Sequence, residues 1–142
     1  MDVAGSLAIS SSALQAQRLR MDVIAANLAN AQSTRTPEGG PYKRRDVILE
    51  SVPGDRFGDI LGAEQGAAVR VARVAEDDKP PRVVFDPGHP DADARGYVSY
   101  PNVNPITEMV DLMAATRAYE ANVAAVNATK RVLEAALSIG RS

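Results

Sequence analysis

The sequence predicts a mainly α protein with a small β-rich insert. Long N- and C-terminal helices are expected to pair as an antiparallel coiled coil, with a small antiparallel sheet between them. Three observations lead there. All nine prolines lie between Pro37 and Pro105, and eight of the ten glycines between Gly39 and Gly96, so the residues that punctuate turns and break helices are confined to the middle. Apolar side chains recur at helical spacing on both sides of that middle. The tail also carries a strong helix start: Asn104 is a preferred N-cap, and Pro105 behind it forfeits only an N–H that would be unpaired anyway. The chain therefore divides into 1–34 and 104–142, the paired terminal helices, and 35–103, the β-rich insert.

The head is expected to be helical from near Val3 to near Asn30. Leu7, Leu14, Met21 and Leu28 recur every seven residues, and Ile24 fills the gap between the last two. Ser10 and Gln17 interrupt this stripe, and Gly5 with Ser10-Ser11-Ser12 weakens the first turns, so packing must hold the helix. Asn27 and Asn30 read either as polar spacers near a helix end or as buried amides that fix register between helices.

In the middle, strand-like pieces run over Asp46–Val52, Val69–Val74, Arg82–Asp86 and Gly96–Tyr100. Turn clusters separate them at Pro53-Gly54-Asp55, 77–81 and 86–90, a pattern that suits a small antiparallel sheet. Phe57–Ala68 is Gly-rich, weakly patterned and read as a loop.

The tail helix is expected to span Pro105–Ile139, with Glu108 and Asp111 early and Lys130, Arg131 and Arg141 late, as the helix dipole prefers. Gly140 is the expected C′ stop. One seam runs through Met109, Leu112, Thr116, Tyr119, Val123, Val126, Lys130, Leu133 and Leu137 and is assigned to the head helix. A second stripe of small side chains, Val110, Ala114, Ala118, Ala121, Ala125, Ala128 and Val132, continues to Ala135 and Ile139. The insert is short of large apolar side chains and makes a marginal core. Two helices that pair with each other still leave the alanine face uncovered, which marks an assembly part rather than a finished globule.

Composition narrows the function. The chain has 142 residues, one domain's worth, with 16 basic and 18 acidic side chains and a net charge of −2. No basic run exceeds Lys43-Arg44-Arg45, which reads as a solvated strand end and argues against nucleic acid. There is no cysteine for a disulfide or thiolate metal site. No segment approaches the roughly 20 apolar residues of a membrane span, and no cleavable secretory signal is visible. The lone His89 lies in a turn between Pro87 and Pro90 and reads as solvent-exposed. Asp91, Asp93 and Gly96 imitate the opening of a calcium loop, but Arg95 and Asn102 stand where oxygen ligands are required. No nucleophile elbow, phosphate loop or dinucleotide fingerprint occurs. Neither an enzyme nor a cofactor is expected.

The segment 21–30, MDVIAANLAN, resembles the N-terminal signature of bacterial flagellar rod and hook proteins. Tyr42 in GPYK, Asp86-Pro87-Gly88, Tyr97 in GYV, Pro101-Asn102 in PNVN, and the EMVD and YEANV segments of the tail extend the likeness along the whole chain, on the proximal-rod side of that family. Asn27, Asn30, Tyr42, Asp86, Pro87, Gly88, Tyr97, Pro101 and Asn102 are its signature positions here. The resemblance implies a structural subunit of the rod, the driveshaft of the bacterial flagellum. It implies export by the flagellar type III apparatus without a cleaved signal peptide, and a place in the periplasmic basal body. It also implies terminal helices in the inner layer of a tube and a β-rich domain facing outward. Implied partners are copies of itself, other rod proteins, basal-body ring components and the export apparatus. The seam would serve the chain's own head helix and the alanine face its neighbours. Readings set against this are another axial rod or hook protein, and a coiled-coil binding module such as an export chaperone.

Overall fold

The computed structural model describes residues 3–52 and 68–140. It is mostly helical with a small β part: α1 (Val3–Ala29), β1 (Arg45–Val52), β2 (Ala68–Glu76), β3 (Arg82–Phe85), β4 (Tyr97–Tyr100) and α2 (Pro105–Ile139). Of the expected loop Phe57–Ala68, residues 57–67 lie outside the described residues, as do the turn at 53–55 and the terminal Arg141, while Ala68 already belongs to β2.

α2 starts as its sequence dictates. Asn104 is extended (φ −98°, ψ 108°) and its Oδ1 accepts the Ile106 N–H at 3.0 Å, with Pro105 in the first turn. Its other end differs from expectation. Gly140 keeps right-handed backbone (φ −74°), and its N–H still bonds to the Ala136 carbonyl. It continues the helical turn and makes no left-handed cap.

The helices run in opposite directions. Asn27 meets Glu108, and six residues earlier in α1 Met21 accepts a weak bond from the Thr116 hydroxyl. α2 is the longer helix, 35 residues against 27. Counted residue for residue from the Asn27–Glu108 contact, the start of α1 comes level with about residue 132 of α2, so roughly the last two turns of α2 extend past it. Every side chain from Lys130 to Ile139 is accordingly exposed.

The single sheet expected from the strand pattern is in fact two separate two-stranded antiparallel sheets, β1–β2 and β3–β4. Pro80 and Pro81 separate β2 from β3 and supply no N–H for a continuing ladder. In β1–β2 the register slips between Ile48 and Leu49, leaving Ala72 as the extra residue of a bulge. This sheet lies against α1, where the Ser12 hydroxyl accepts the Val69 N–H at 3.1 Å. In β3–β4, Val84 pairs with Val98, which is fully buried, and the Phe85 and Tyr97 rings meet edge to face at 5.3 Å.

Gly96 closes the β3–β4 hairpin at φ +82°, where an added Cβ would come within 2.9 Å of the Phe85 ring and 3.1 Å of Pro87. Left-handed backbone disfavours a side chain by about 1–2 kcal/mol before any clash. Gly96→Ala is expected to lower the thermal midpoint of the purified protein, whereas Gly88→Ala, whose added Cβ would meet the Asp86 side chain at an ordinary contact distance of 3.6 Å, leaves it nearly unchanged. Equal midpoints for the two variants would remove this role from Gly96.

Candidate functional site

Where the end of α1, the start of α2 and the first strand converge, the sequence places polar groups instead of apolar ones. Asn27 and Glu108 are 0% and 1% exposed. Asn27 sits in the last turn of α1, Glu108 in the first turn of α2, and Tyr42 to Arg45 on the segment entering β1.

The Asn27 amide makes four hydrogen bonds. Its Nδ2 donates to the Arg45 carbonyl at 2.8 Å and to Glu108 Oε2 at 3.0 Å. Its Oδ1 accepts the Tyr42 hydroxyl and the Arg45 N–H, both at 3.0 Å. Two donors and two acceptor positions are the full capacity of an amide. The paired bonds to Arg45 N–H and C=O make Asn27 act as a neighbouring strand would, fixing β1 against α1.

Glu108 is satisfied in turn. Its second oxygen accepts Arg44 Nε at 2.6 Å, and Arg44 also reaches Asp46 at 3.6 Å. Burial alone would lower the Arg44 pKa, but its hydrogen bond and charge attraction to Glu108, with Asp46 and Asp77 beyond, hold it above the ordinary range. Burial raises the Tyr42 pKa. Arg45 opposes that shift, while Glu108 and Glu76 add to it. Asp77 is held below the usual carboxylate range chiefly by the Lys79 backbone N–H, and its own N–H bonds to the Arg44 carbonyl at 2.7 Å.

The expected site residues fall into separate groups. Asn27 and Tyr42 join in this junction, whereas Asn30 bonds locally to the Ala26 carbonyl and to Ser33. Asp86, Pro87 and Tyr97 lie beside Gly96, where the Asp86 N–H bonds to the Gly96 carbonyl at 2.9 Å, and Gly88 is exposed. Pro101 is fully buried, and Asn102 is exposed. In the head stripe Ile24 is buried and Leu7, Leu14, Met21 and Leu28 half-buried. Of the tail seam, Leu112, Tyr119, Val123 and Val126 are half-buried, while Met109, Leu133 and Leu137 are exposed. On the alanine face Val110, Ala114, Ala121, Ala125, Ala128 and Val132 are exposed and Ala118 half-buried. His89 is half-buried, not solvent-exposed: its Nδ1 accepts the Asp91 N–H at 3.1 Å and its ring meets Tyr100 edge-on. The sequence pattern alone did not single out Glu108, Arg44 or Ala115 as packing residues, yet Ala115 is one of the few fully buried positions of α2.

Shallow clefts flank the Pro41–Lys43 ridge, with Glu38, Lys43, Arg45 and Glu76 on one side and Asp77, Asp78 and Lys79 on the other. Among the described residues no three carboxylate or His side chains gather as a metal site, and no helix is long and apolar enough to cross a membrane. The junction consists of directional hydrogen bonds that hold two helices and a strand in one arrangement.

Comparison with known proteins gives matches at both ends and along the whole chain. Residues 7–35 match the family described as flagella basal body rod protein, and residues 94–139 match the C-terminal region of flagellar basal body rod FlgEFG proteins. The flagellar basal-body rod protein FlgC of Bacillus subtilis is 49% identical over 96% of this chain and 97% of its own length. That of Borreliella burgdorferi is 42% identical over 98% of each, and that of Salmonella typhimurium 41% identical over 94% of each.

Breaking one side of a buried ion pair costs about 3–5 kcal/mol, because the remaining charge is stranded. Arg44→Ala, which strands the buried Glu108 carboxylate, is expected to lower stability to urea by that amount, and adding Glu108→Gln, which removes the charge and keeps an acceptor for Asn27, to cost little more. Additive losses would show that the two side chains are not coupled. The raised Tyr42 pKa gives a second measurement. Its stabilisation is fully present below the ordinary phenol value of about 10 and is lost as pH climbs through the higher folded value. The difference between ultraviolet titrations of the protein and its Tyr42→Phe variant should show a phenol ionising above pH 10; a difference step at or below that value refutes the buried hydroxyl.

Proposed function

The chain belongs to the FlgC family of flagellar basal-body rod proteins and is a structural subunit of the bacterial flagellar rod; on that premise we propose how its parts divide the work. The terminal helices, 1–34 and 104–142, pair as an antiparallel coiled coil and form the inner layer of a helical tube. The β-rich 35–103 faces outward. The tube transmits motor torque to the hook through many helix contacts in parallel, with no catalysis and no cofactor. The subunit leaves the cell unfolded through the flagellar type III apparatus, without a cleaved signal peptide, and assembles in the periplasm with copies of itself, other rod proteins and ring components.

The observation that supports this division best is the arrangement of α2. One side packs on α1 through Glu108 and Ala115, and the alanine face stays largely uncovered. A long helix with an uncovered apolar side gains from association, since each Å² removed from water is worth about 25 cal/mol. The Leu112–Val126 part of the seam serves the chain's own head helix, and the Val110–Val132 stripe serves neighbouring subunits.

Val123→Asp or Val126→Asp would place a charge in the half-buried part of the seam. Each is expected to abolish swimming while the chain is still produced. Cells that swim normally with either variant would refute the assignment of this seam.

A further inference from the structure

The chain has no cysteine, so its methionines are the side chains that peroxide oxidises most readily. Met1 lies outside the described residues, and the other three sit in two different surroundings. Met21 in α1 is half-buried against α2, with the Thr116 hydroxyl on its sulfur at 3.6 Å. Met109 and Met113 in α2 are 57% and 55% exposed. They are one helical turn apart, where side chains at i and i+4 are neighbours. At about 100° per residue, both lie roughly 100–160° around α2 from Glu108 and Ala115, which face α1. Ile106 and Val110, also more than half exposed, complete the patch.

The two thioethers are thus open to solvent on a side of α2 that the chain's own helix pair does not use. A thioether is apolar and polarisable, whereas its sulfoxide is polar and carries an oxygen that accepts hydrogen bonds. Adding that oxygen at Met109 and Met113 changes the outer surface of α2 and leaves its packing on α1 untouched. At Met21 the same oxygen would have to fit between the helices.

We propose that Met109 and Met113 form an oxidation site for peroxides, and that chains carrying the two sulfoxides are excluded from the rod. In the step, the thioether sulfur attacks one peroxide oxygen. An S–O bond forms, the O–O bond breaks, and the second oxygen leaves as water with both hydrogens. Sulfur is oxidised by two electrons and the peroxide is reduced by two. The exclusion rests on the rod-subunit reading above, in which neighbours cover the outer side of α2. A sulfoxide oxygen covered by an apolar neighbour loses its water and gains no donor, which is costly. Oxidised chains therefore stay folded but lose their place in the assembly.

The two parts are tested separately. Purified chain is treated with dilute hydrogen peroxide, and peptide mass spectrometry follows each methionine. Met109 and Met113 are expected to take up one oxygen each several-fold faster than Met21, with the thermal midpoint unchanged when only those two are oxidised. Equal rates at all three, or a midpoint that falls as Met109 and Met113 are oxidised, would overturn the site. For the exclusion, native chain and chain carrying Met109→Leu with Met113→Leu, each with its own tag, are co-expressed in flagellated cells. Their ratio in basal bodies is compared with and without hydrogen peroxide during rod growth. Peroxide is expected to lower the native share several-fold, because leucine keeps the patch apolar and is not oxidised. An unchanged ratio overturns the exclusion. Should the doubly substituted chain not assemble, the two single variants are compared in the same way. If no tagged chain reaches basal bodies in untreated cells, the rod-subunit reading fails instead, and the order of oxidation in the purified chain is unaffected.

Discussion

The arrangement of this chain depends on one amide. Asn27 is buried, and it lies where the helix pair meets the insert. A buried amide without partners is costly, so the surrounding backbone and side chains are constrained to supply all four hydrogen bonds at once. Only one relative placement of α1, α2 and the β1 entry does so: Glu108 from α2, the Arg45 peptide from β1 and the Tyr42 hydroxyl between them. An apolar side chain at this position would tolerate sliding by a turn or rotation of the insert. The amide tolerates neither, and so supplies specificity where apolar area would supply only affinity.

The rest of the helix pair is held less tightly. Fully buried side chains are few among the described residues, and most of the contact between α1 and α2 is half-buried. A small domain with so little interior is marginal by itself, because burial must offset about 1–2 kcal/mol of backbone entropy per ordered residue. The uncovered faces of α2 are the unused part of that balance, and covering them in an assembly stabilises the subunit as well as the contact. Folding and assembly of such a chain are therefore linked by mass action, as for any partner that binds only the folded form.

Much of the fold was legible in the sequence. The Asn104–Pro105 start of α2 was legible because a cap is a local chemical event. The strands were found within a residue or two, from alternation in β2 and β4 and from short apolar runs in β1 and β3, all bounded by turn clusters. What alternation does not report is the partner, so one sheet was expected where Pro80–Pro81 enforces two. The junction was harder to see. Glu108 in a first helical turn reads as a dipole complement, and Arg44 inside a basic run reads as solvated, because the two are 64 residues apart and no local spacing joins them. Asn27 was legible as one of two readings, a polar spacer or a buried amide that fixes register, and the structure shows the buried amide; Tyr42 was marked only by the likeness to rod proteins. The tail seam shows a geometrical effect. A strict heptad drifts about 20° per repeat on a straight helix, roughly 80° over the four repeats from Met109 to Leu137. Met109 thus begins well aside from the α1-facing line, whereas Leu137 ends on it, past the end of α1.

The placement of polar and apolar contacts suits a subunit under torque. At the junction, hydrogen bonds and an ion pair fix angles, since their strength falls steeply with misalignment. Along α2 the Val110–Val132 stripe is apolar and largely exposed, and its attraction for another surface depends on area rather than direction. A load applied to the insert is therefore resisted first by bonds that resist rotation, at the point where the insert meets both helices. It passes from there into the paired helices. Reversing the design, with directional bonds between subunits and a greasy hinge at the insert, would let the insert rotate before its neighbours bore any load. The fully satisfied Asn27 amide resists that rotation, which is the physical advantage of a polar residue at a position fully shielded from solvent.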